Sequence, residues 1–305
     1  MEGLTGYVYR NAHNAFFHGI SKYFSPFIVA NQCESFRSRE LHDILPENNP
    51  GIVLIPQLLT NNAQDFVRAS RKIELLGYHE INFNLGCPSK TVVSKHKGAG
   101  FLSNTEKLDA FFDEVFSQSS IQISVKTRIG MDHPEEFYEL IQVFNKYPIK
   151  ELIIHPRTQK DFYQNKPNLT IFKDALSLSK NPVCYNGDIF TVKDYRAFSS
   201  NFPGVETLML GRGLITDPGL VENILNGTKL EKNLLRDFHD KIYEDYRKTM
   251  SGDRNVLFKM KELWSYMISI FSDNSKYAKR IKKSQRRYEY DEAVADLFRE
   301  QDILN

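Results

Sequence analysis

Short apolar runs that read as strands alternate along this chain with segments whose apolar residues recur at helical spacing. The strand-like runs are FIVAN (27–31), IVLIPQL (52–58), EINFNLG (80–86), ISVKTRI (123–129), ELIIHPR (151–157), PVCYNGDI (182–189) and TLMLGRG (207–213). A helical segment follows each of them. In Asn61–Leu76 the residues Phe66, Ala69, Ile73 and Leu76 fall on one helical face. Asn104 is placed to cap a helix over Thr105–Phe116, and Pro134 lies near the first position of one over Pro134–Phe144. Further helical stretches read up to about Ile20, around 35–41, near 170–179, over Val192–Phe198 and over Asp217–Leu225. Seven strand–helix units indicate a parallel sheet, one unit short of a (β/α)8 TIM barrel. The missing piece is the first strand, because the chain starts where that strand should be ending. The expectation is that the native protein begins several residues upstream of Met1. Beyond Gly227 the strand pattern stops, so the chain divides into a barrel over 1–228 and an all-helical region over 229–305.

The polar residues sharpen this picture. Gln57, Asn84, Lys126 with Arg128, His155 with Arg157, Asn186-Gly187-Asp188 and Gly211-Arg212-Gly213 all stand at the ends of successive strands. Taken singly, each has an ordinary structural explanation: a turn former, a cap, a satisfied imidazole. Polar side chains are costly inside buried parallel strands unless paired, and six strand ends agree. In a (β/α)8 barrel these ends form the rim where chemistry is done. Gly211 and Gly213 permit close backbone approach just before a short helix, the usual phosphate position of such barrels. A phosphate-bearing ligand with a ring of carbonyl and N–H edges fits that rim, which points to FMN. Cys87 sits on the turn that closes EINFNLG. Alone it reads as a small buried hydrophobe; facing a cofactor, it reads as a proton donor.

Composition and charge add a partner. The three cysteines, Cys33, Cys87 and Cys184, are far apart and form no CxxC or Cys/His cluster. A disulfide framework and a structural zinc are therefore not expected, no metal is expected, and a reducing cytoplasm suits the chain. No apolar run approaches the roughly 18 residues needed to span a bilayer. The net charge of +2 conceals a basic segment: Arg254–Arg287 holds ten Lys/Arg and two Asp/Glu, a local +8 that leaves −6 for the remainder. Lys276, Lys279, Arg280, Lys282, Lys283, Arg286 and Arg287 cluster there with Tyr277, Tyr288 and Tyr290. Such a segment on a mildly acidic body suits a polyanion, and nucleic acid in particular.

The ordered motifs MEGLT (1–5), IPQL (55–58), NLGCPSK (84–90) with GAG (98–100), VKTR (125–128), HPRT (155–158), YNGDI (185–189) and LGRG (210–213) resemble the tRNA-dihydrouridine synthases. The resemblance covers residues 1–213, and a helical tail follows as in that family. It implies FMN, NADPH as reductant, and reduction of the C5–C6 bond of a tRNA uridine. By position it implies that Met1, Glu2, Gln57, Lys126, His155, Asn186, Gly187, Asp188, Gly211 and Arg212 hold the cofactor. Cys87 would be the general acid, and Asn84, Arg128 and Arg157 would lie near the target base. Pro156 stands where the family usually has glycine, which stiffens that loop. Lys90, Lys95, His96 and Lys97 are expected to lower the Cys87 thiol pKa until RNA phosphates neutralise them. An FMN barrel acting on a free pyrimidine or an enone, and a silent RNA-binding barrel, are the alternative readings.

Overall fold

The computed structural model describes residues 1–32 and 36–304, so Cys33 and the start of the helix expected around 35–41 lie outside the described residues. Helix α1 (Tyr7–Phe16) precedes strand β1 (Tyr23–Val29) and helix α2 (Ser38–Ile44). Units then follow of β2 (Leu54–Leu59) with α3 (Ala63–Leu75), and of β3 (Glu80–Leu85) with a short α4 (Lys90–Val93) and α5 (Thr105–Gln118). The remaining units are β4 (Gln122–Arg128) with α6 (Phe137–Phe144), β5 (Leu152–His155) with α7 (Leu169–Leu178), and β6 (Val183–Tyr185) with α8 (Val192–Asn201). The sheet is wholly parallel and in sequence order β1 to β6, as strand–helix alternation requires.

The chain thus forms an incomplete α/β barrel. The run at 207–213, expected as a strand, contributes one bridge, Tyr185 to Leu208. Its backbone bonds to Tyr185 on one side only, through Thr207 O and Met209 N. Among the described residues no ladder joins it to β1, and a strand with one three-residue neighbour gains too few bonds to extend. At the other edge β1 begins earlier than the FIVAN run and includes Pro26, with a register shift between Phe24 and Phe27. A proline is tolerated there because an edge strand leaves that N–H unused. Asn104 caps α5 as expected, accepting from Lys107 N at 2.8 Å.

Two apolar cores form. The first fills the sheet and its helices, with Phe83 of β3 stacked on Phe111 of α5 at 4.8 Å. The second belongs to the C-terminal helices. After α9 (Arg212–Thr216) and α10 (Leu220–Asn226) come α11 (Lys232–Thr249), α12 (Asp253–Met267), α13 (Ser275–Lys283) and α14 (Arg287–Glu300). The N-terminal α1, expected with the barrel, buries Val8, Tyr9 and Ala12 in this second core. Its aromatic face meets Phe238 of α11, whose ring stands edge-on to Tyr9, His13 and Phe17 at 5.2–6.3 Å. From that seat, Tyr9 Oη donates to Leu214 O at 3.1 Å and His13 Nε2 donates to Pro218 O at 3.1 Å. Helix α1 is therefore a clamp between the helical bundle and the segment carrying Arg212.

Candidate active site

Parallel register brings the polar strand ends together. Gln57 lies opposite Asn82, Asn82 opposite Ser124, Asn84 opposite Lys126, and Arg128 opposite His155. Because side chains alternate along a strand, Asn82 and Asn84 face the same side, as do Ser124, Lys126 and Arg128. Asn82 and Ser124 are not among the residues expected from the sequence, although this period-two spacing is a signal for both.

Cys87 sits on a turn built by Asn84. The Asn84 Oδ1 accepts from the backbone N–H groups of Gly86 and Cys87, both at 3.0 Å. Its Nδ2 donates to Gln57 Oε1 at 2.7 Å. The GAG loop closes over the turn: Ala99 N donates to Cys87 O at 3.1 Å, and a Cβ on Gly98 would stand 2.9 Å from that oxygen. Gly98 also has φ +56, so only glycine suits it. The Cys87 side chain is partly buried, and burial pushes its thiol pKa up, a rise that Arg128 and Lys126 oppose and Glu2 reinforces. The expected lowering by Lys90, Lys95, His96 and Lys97 is therefore not found. Lys90, Lys95 and His96 are exposed, where water screens their charges, and desolvation of the thiol outweighs them.

Lys126 enters from β4. Burial, with Arg128 beside it, lowers its ammonium pKa to about 8. His155 is buried and its imidazole pKa is held well below the ordinary range, first by desolvation and then by Lys126, Arg128, Arg157 and Arg212 around it. Arg157 N donates to His155 O at 2.7 Å, closing a tight turn around Pro156 whose ring-fixed φ suits it. Arg157 then holds Asp188 with both terminal nitrogens, and Arg212 reaches the same carboxylate at 2.6 Å.

Arg128 and Arg157, expected near the target base, are buried. Each is 1% exposed. Arg128 donates to three backbone carbonyls, Gly86 O at 3.0 Å, Thr158 O at 2.6 Å and Phe162 O at 2.7 Å, and so ties the cysteine turn to the loop after β5. A buried guanidinium needs that many acceptors, and they fix it as framework.

Asn186 Nδ2 donates to Met209 O at 2.8 Å, which joins β6 to the Leu208 segment. A side chain at Gly187 would run into Tyr185, and one at Gly213 into Ile189 O. At Gly211 the space is open, with only Met1 Sδ near a Cβ position, at 3.8 Å. Met1 and Gly211 are thereby neighbours, while Glu2 is exposed beside them. Tyr163 joins the site without any mark of it in the local pattern. From the polar loop after β5 its ring lies 4.4 Å from the Arg212 guanidinium carbon, 5.4 Å from that of Arg128 and 6.0 Å from the His155 ring.

The basic helix is only partly free. Arg280 pairs with Asp296 at 2.6 Å and Arg287 with Asp291 at 3.4 Å. Tyr277 and Tyr290 are buried in the bundle. Lys276, Lys279, Lys282, Lys283 and Arg286 are exposed, and among the described residues none has a carboxylate within ion-pair distance. No group of three or more His, Cys, Asp or Glu that could hold a metal occurs among the described residues, and no helix is long and apolar enough to cross a membrane.

Comparison with known proteins agrees with this architecture. Morphinone reductase superposes with a TM-score of 0.51 at 10% identity, over 75% of this chain and 83% of its own. The old yellow enzyme homologue of Zymomonas mobilis gives 0.50 at 13% identity, over 78% and 86%. At that identity the likeness is one of fold. In sequence, the tRNA-dihydrouridine(16) synthase of Pasteurella multocida is 33% identical over 168 residues, 54% of this chain and 51% of the relative. That of Pseudomonas putida is 34% identical over 147 residues, 48% and 45%. The chain thus spans about half the length of the curated relatives it matches. The family model for dihydrouridine synthase (Dus) matches residues 1–302. The chain belongs to the dihydrouridine synthase family.

Proposed function

We propose that this protein reduces a uridine in tRNA to 5,6-dihydrouridine with FMN as cofactor and NADPH as reductant, residues 1–228 holding the flavin and 229–305 gripping RNA. The observation that carries the reading is one connected set of polar contacts from Gln57 through Asn84, Gly86, Arg128, the β5 loop, Arg157 and Asp188 to Arg212. It spans successive strand ends with Cys87 on its turn, which is how a barrel presents a single reactive site.

The donor set fits a flavin. Gln57 and Asn84 each keep one amide N–H not used for a neighbouring side chain, Lys126 is a half-buried ammonium, and His155 keeps an N–H on Nδ1. These suit an electron-poor ring with carbonyl and nitrogen acceptors, while the open backbone at Gly211 and the remaining donors of Arg212 suit its phosphate. The bound flavin would supply hydride to uridine C6. Cys87 would supply the proton to C5, and its raised pKa supports this, because the thiol stays protonated at neutral pH. Lys126 and Gln57 would orient the ring. The Asp188 carboxylate keeps Arg157 and Arg212 from drifting into that space. A uridine reaches such a site only when extruded from its stack, which costs a few kcal/mol that contacts elsewhere must offset. The exposed lysines of α13 and Arg286 are suited to that grip through phosphates.

The test is the visible spectrum of the purified protein, then incubation with unmodified tRNA transcript and NADPH. A flavin spectrum bleached by NADPH, and dihydrouridine in the RNA, are the expected results. Position 16, carried in the names of the Pasteurella and Pseudomonas relatives, is the first to assay. A colourless protein that binds tRNA without reducing it would overturn the proposal.

A further inference from the structure

A line of buried side chains runs from the cysteine turn into the sheet, and its donors and acceptors have one possible order. The N–H groups of Gly86 and Cys87 can only donate, so Asn84 must turn Oδ1 toward them and Nδ2 toward Gln57. Gln57 therefore presents Oε1 to Asn84, and its Nε2 donates to Asn82 Oδ1 at 2.8 Å. Asn82 Nδ2 is left to donate to Ser124 Oγ at 3.0 Å, and the Ser124 hydroxyl hydrogen goes to Ile81 O at 3.3 Å. Asn82 and Ser124 are fully buried, so neither has water as an alternative partner.

We infer that Asn82, seated by Ser124, is a positioning residue that holds the Gln57 amide in place and, through Asn84, the seating of Cys87. Asn82 touches no reacting atom. The turn N–H groups set the order of the line from one end, and Asn82 Oδ1 holds Gln57 Nε2 in it from the other. Were Asn82 unable to accept, Gln57 Nε2 would be a buried donor without its partner, and a shift of the amide to satisfy it would draw Oε1 off Asn84. Asn84 could then release the two N–H groups of the turn, and Cys87 would become more accessible to water. The consequence for reduction of RNA rests on the function proposed above; the consequence for Cys87 does not.

The test reads Cys87 directly in the full-length protein. Alkylation by iodoacetamide is followed at Cys87 by peptide mass spectrometry across pH, without flavin or RNA being required. The charged groups acting on the thiol, Glu2 from the N-terminal segment and Lys126 and Arg128 from β4, are left unchanged. In Asn82→Leu, water reaching the turn should relieve the burial that raises the thiol. Alkylation at pH 7.5 should be roughly three- to tenfold faster, with the profile displaced to lower pH. Ser124→Ala should move it the same way but less. An unmoved profile in folded Asn82→Leu overturns the inference. Should that variant not fold, an unmoved profile in Ser124→Ala does so. Absence of flavin in the wild type would strike the proposed function and leave this result standing.

Discussion

Arg157 Nη1 donates to His155 Nε2 across 2.8 Å, and this contact fixes the state of the imidazole. A guanidinium has no lone pair to offer, so Nε2 must accept and the ring proton must sit on Nδ1. His155 is therefore neutral, in agreement with the lowering of its pKa by burial and by the cations around it.

Two other histidines are buried neutral. His13, held between Tyr23 Oη and Pro218 O, has its pKa lowered by burial to about 4, and His239 in the bundle is lowered as well, again by burial. All three bind protons more weakly in the folded chain than in the unfolded one. The stability they contribute is present above the unfolded value near 6.5 and is lost as pH falls toward the folded values. For His13 alone that is about 3 kcal/mol between pH 6.5 and 4. Denaturant unfolding should show that decline, and His13→Gln should flatten it. A stability constant from pH 7 to 4 would contradict the assignment.

Cys87→Ala should fold as the wild type, retain flavin, and remain reducible by NADPH. Its reduction of tRNA should fall roughly 10²–10⁴-fold, the usual worth of a positioned general acid. Single-turnover reduction of RNA by the pre-reduced protein measures this step alone, and wild-type turnover would remove Cys87 from it.

Asp188→Asn leaves Arg157 with a buried guanidinium and no counter-charge. The Asp188 side chain is 31% exposed, so water screens part of the loss. We expect about 2 kcal/mol of destabilisation, below the roughly 3–5 of a fully buried pair. Arg212, released from the same carboxylate, should also retain flavin less well. Urea unfolding and flavin content after gel filtration read the two effects separately.

Replacing Lys276, Lys279, Lys282, Lys283 and Arg286 together by alanine should leave the thermal midpoint almost unchanged, since none has a carboxylate partner among the described residues. Affinity for tRNA should fall, and the slope of log K against log salt should become shallower by roughly 0.7–0.9 for each phosphate no longer neutralised. Arg280→Ala is the contrasting variant: it breaks the pair with Asp296 and should lower stability as well. Equal salt slopes in the fivefold variant and the wild type would place the RNA elsewhere.

Much of this protein is written in local pattern. Strand–helix alternation fixed a parallel sheet in sequence order, and the polar residues closing each run marked which end carries the chemistry. These features are legible because a strand's period of two and a helix's of 3.6 act within a few residues. Tertiary structure alone decided the rest. It seated α1 with the C-terminal helices, because the apolar face of α1 meets Phe238, more than 200 positions later in the chain. It tied Arg128 and Arg157, both expected near the target base, into the framework of the site, since a guanidinium removed from water binds whatever carbonyls and carboxylates surround it. It also raised the Cys87 thiol despite three lysines nearby in sequence, because desolvation acts at the atom while exposed charges are screened. The sequence alone determined which residues stand at the rim. Only the packing determined which of them remain free to act.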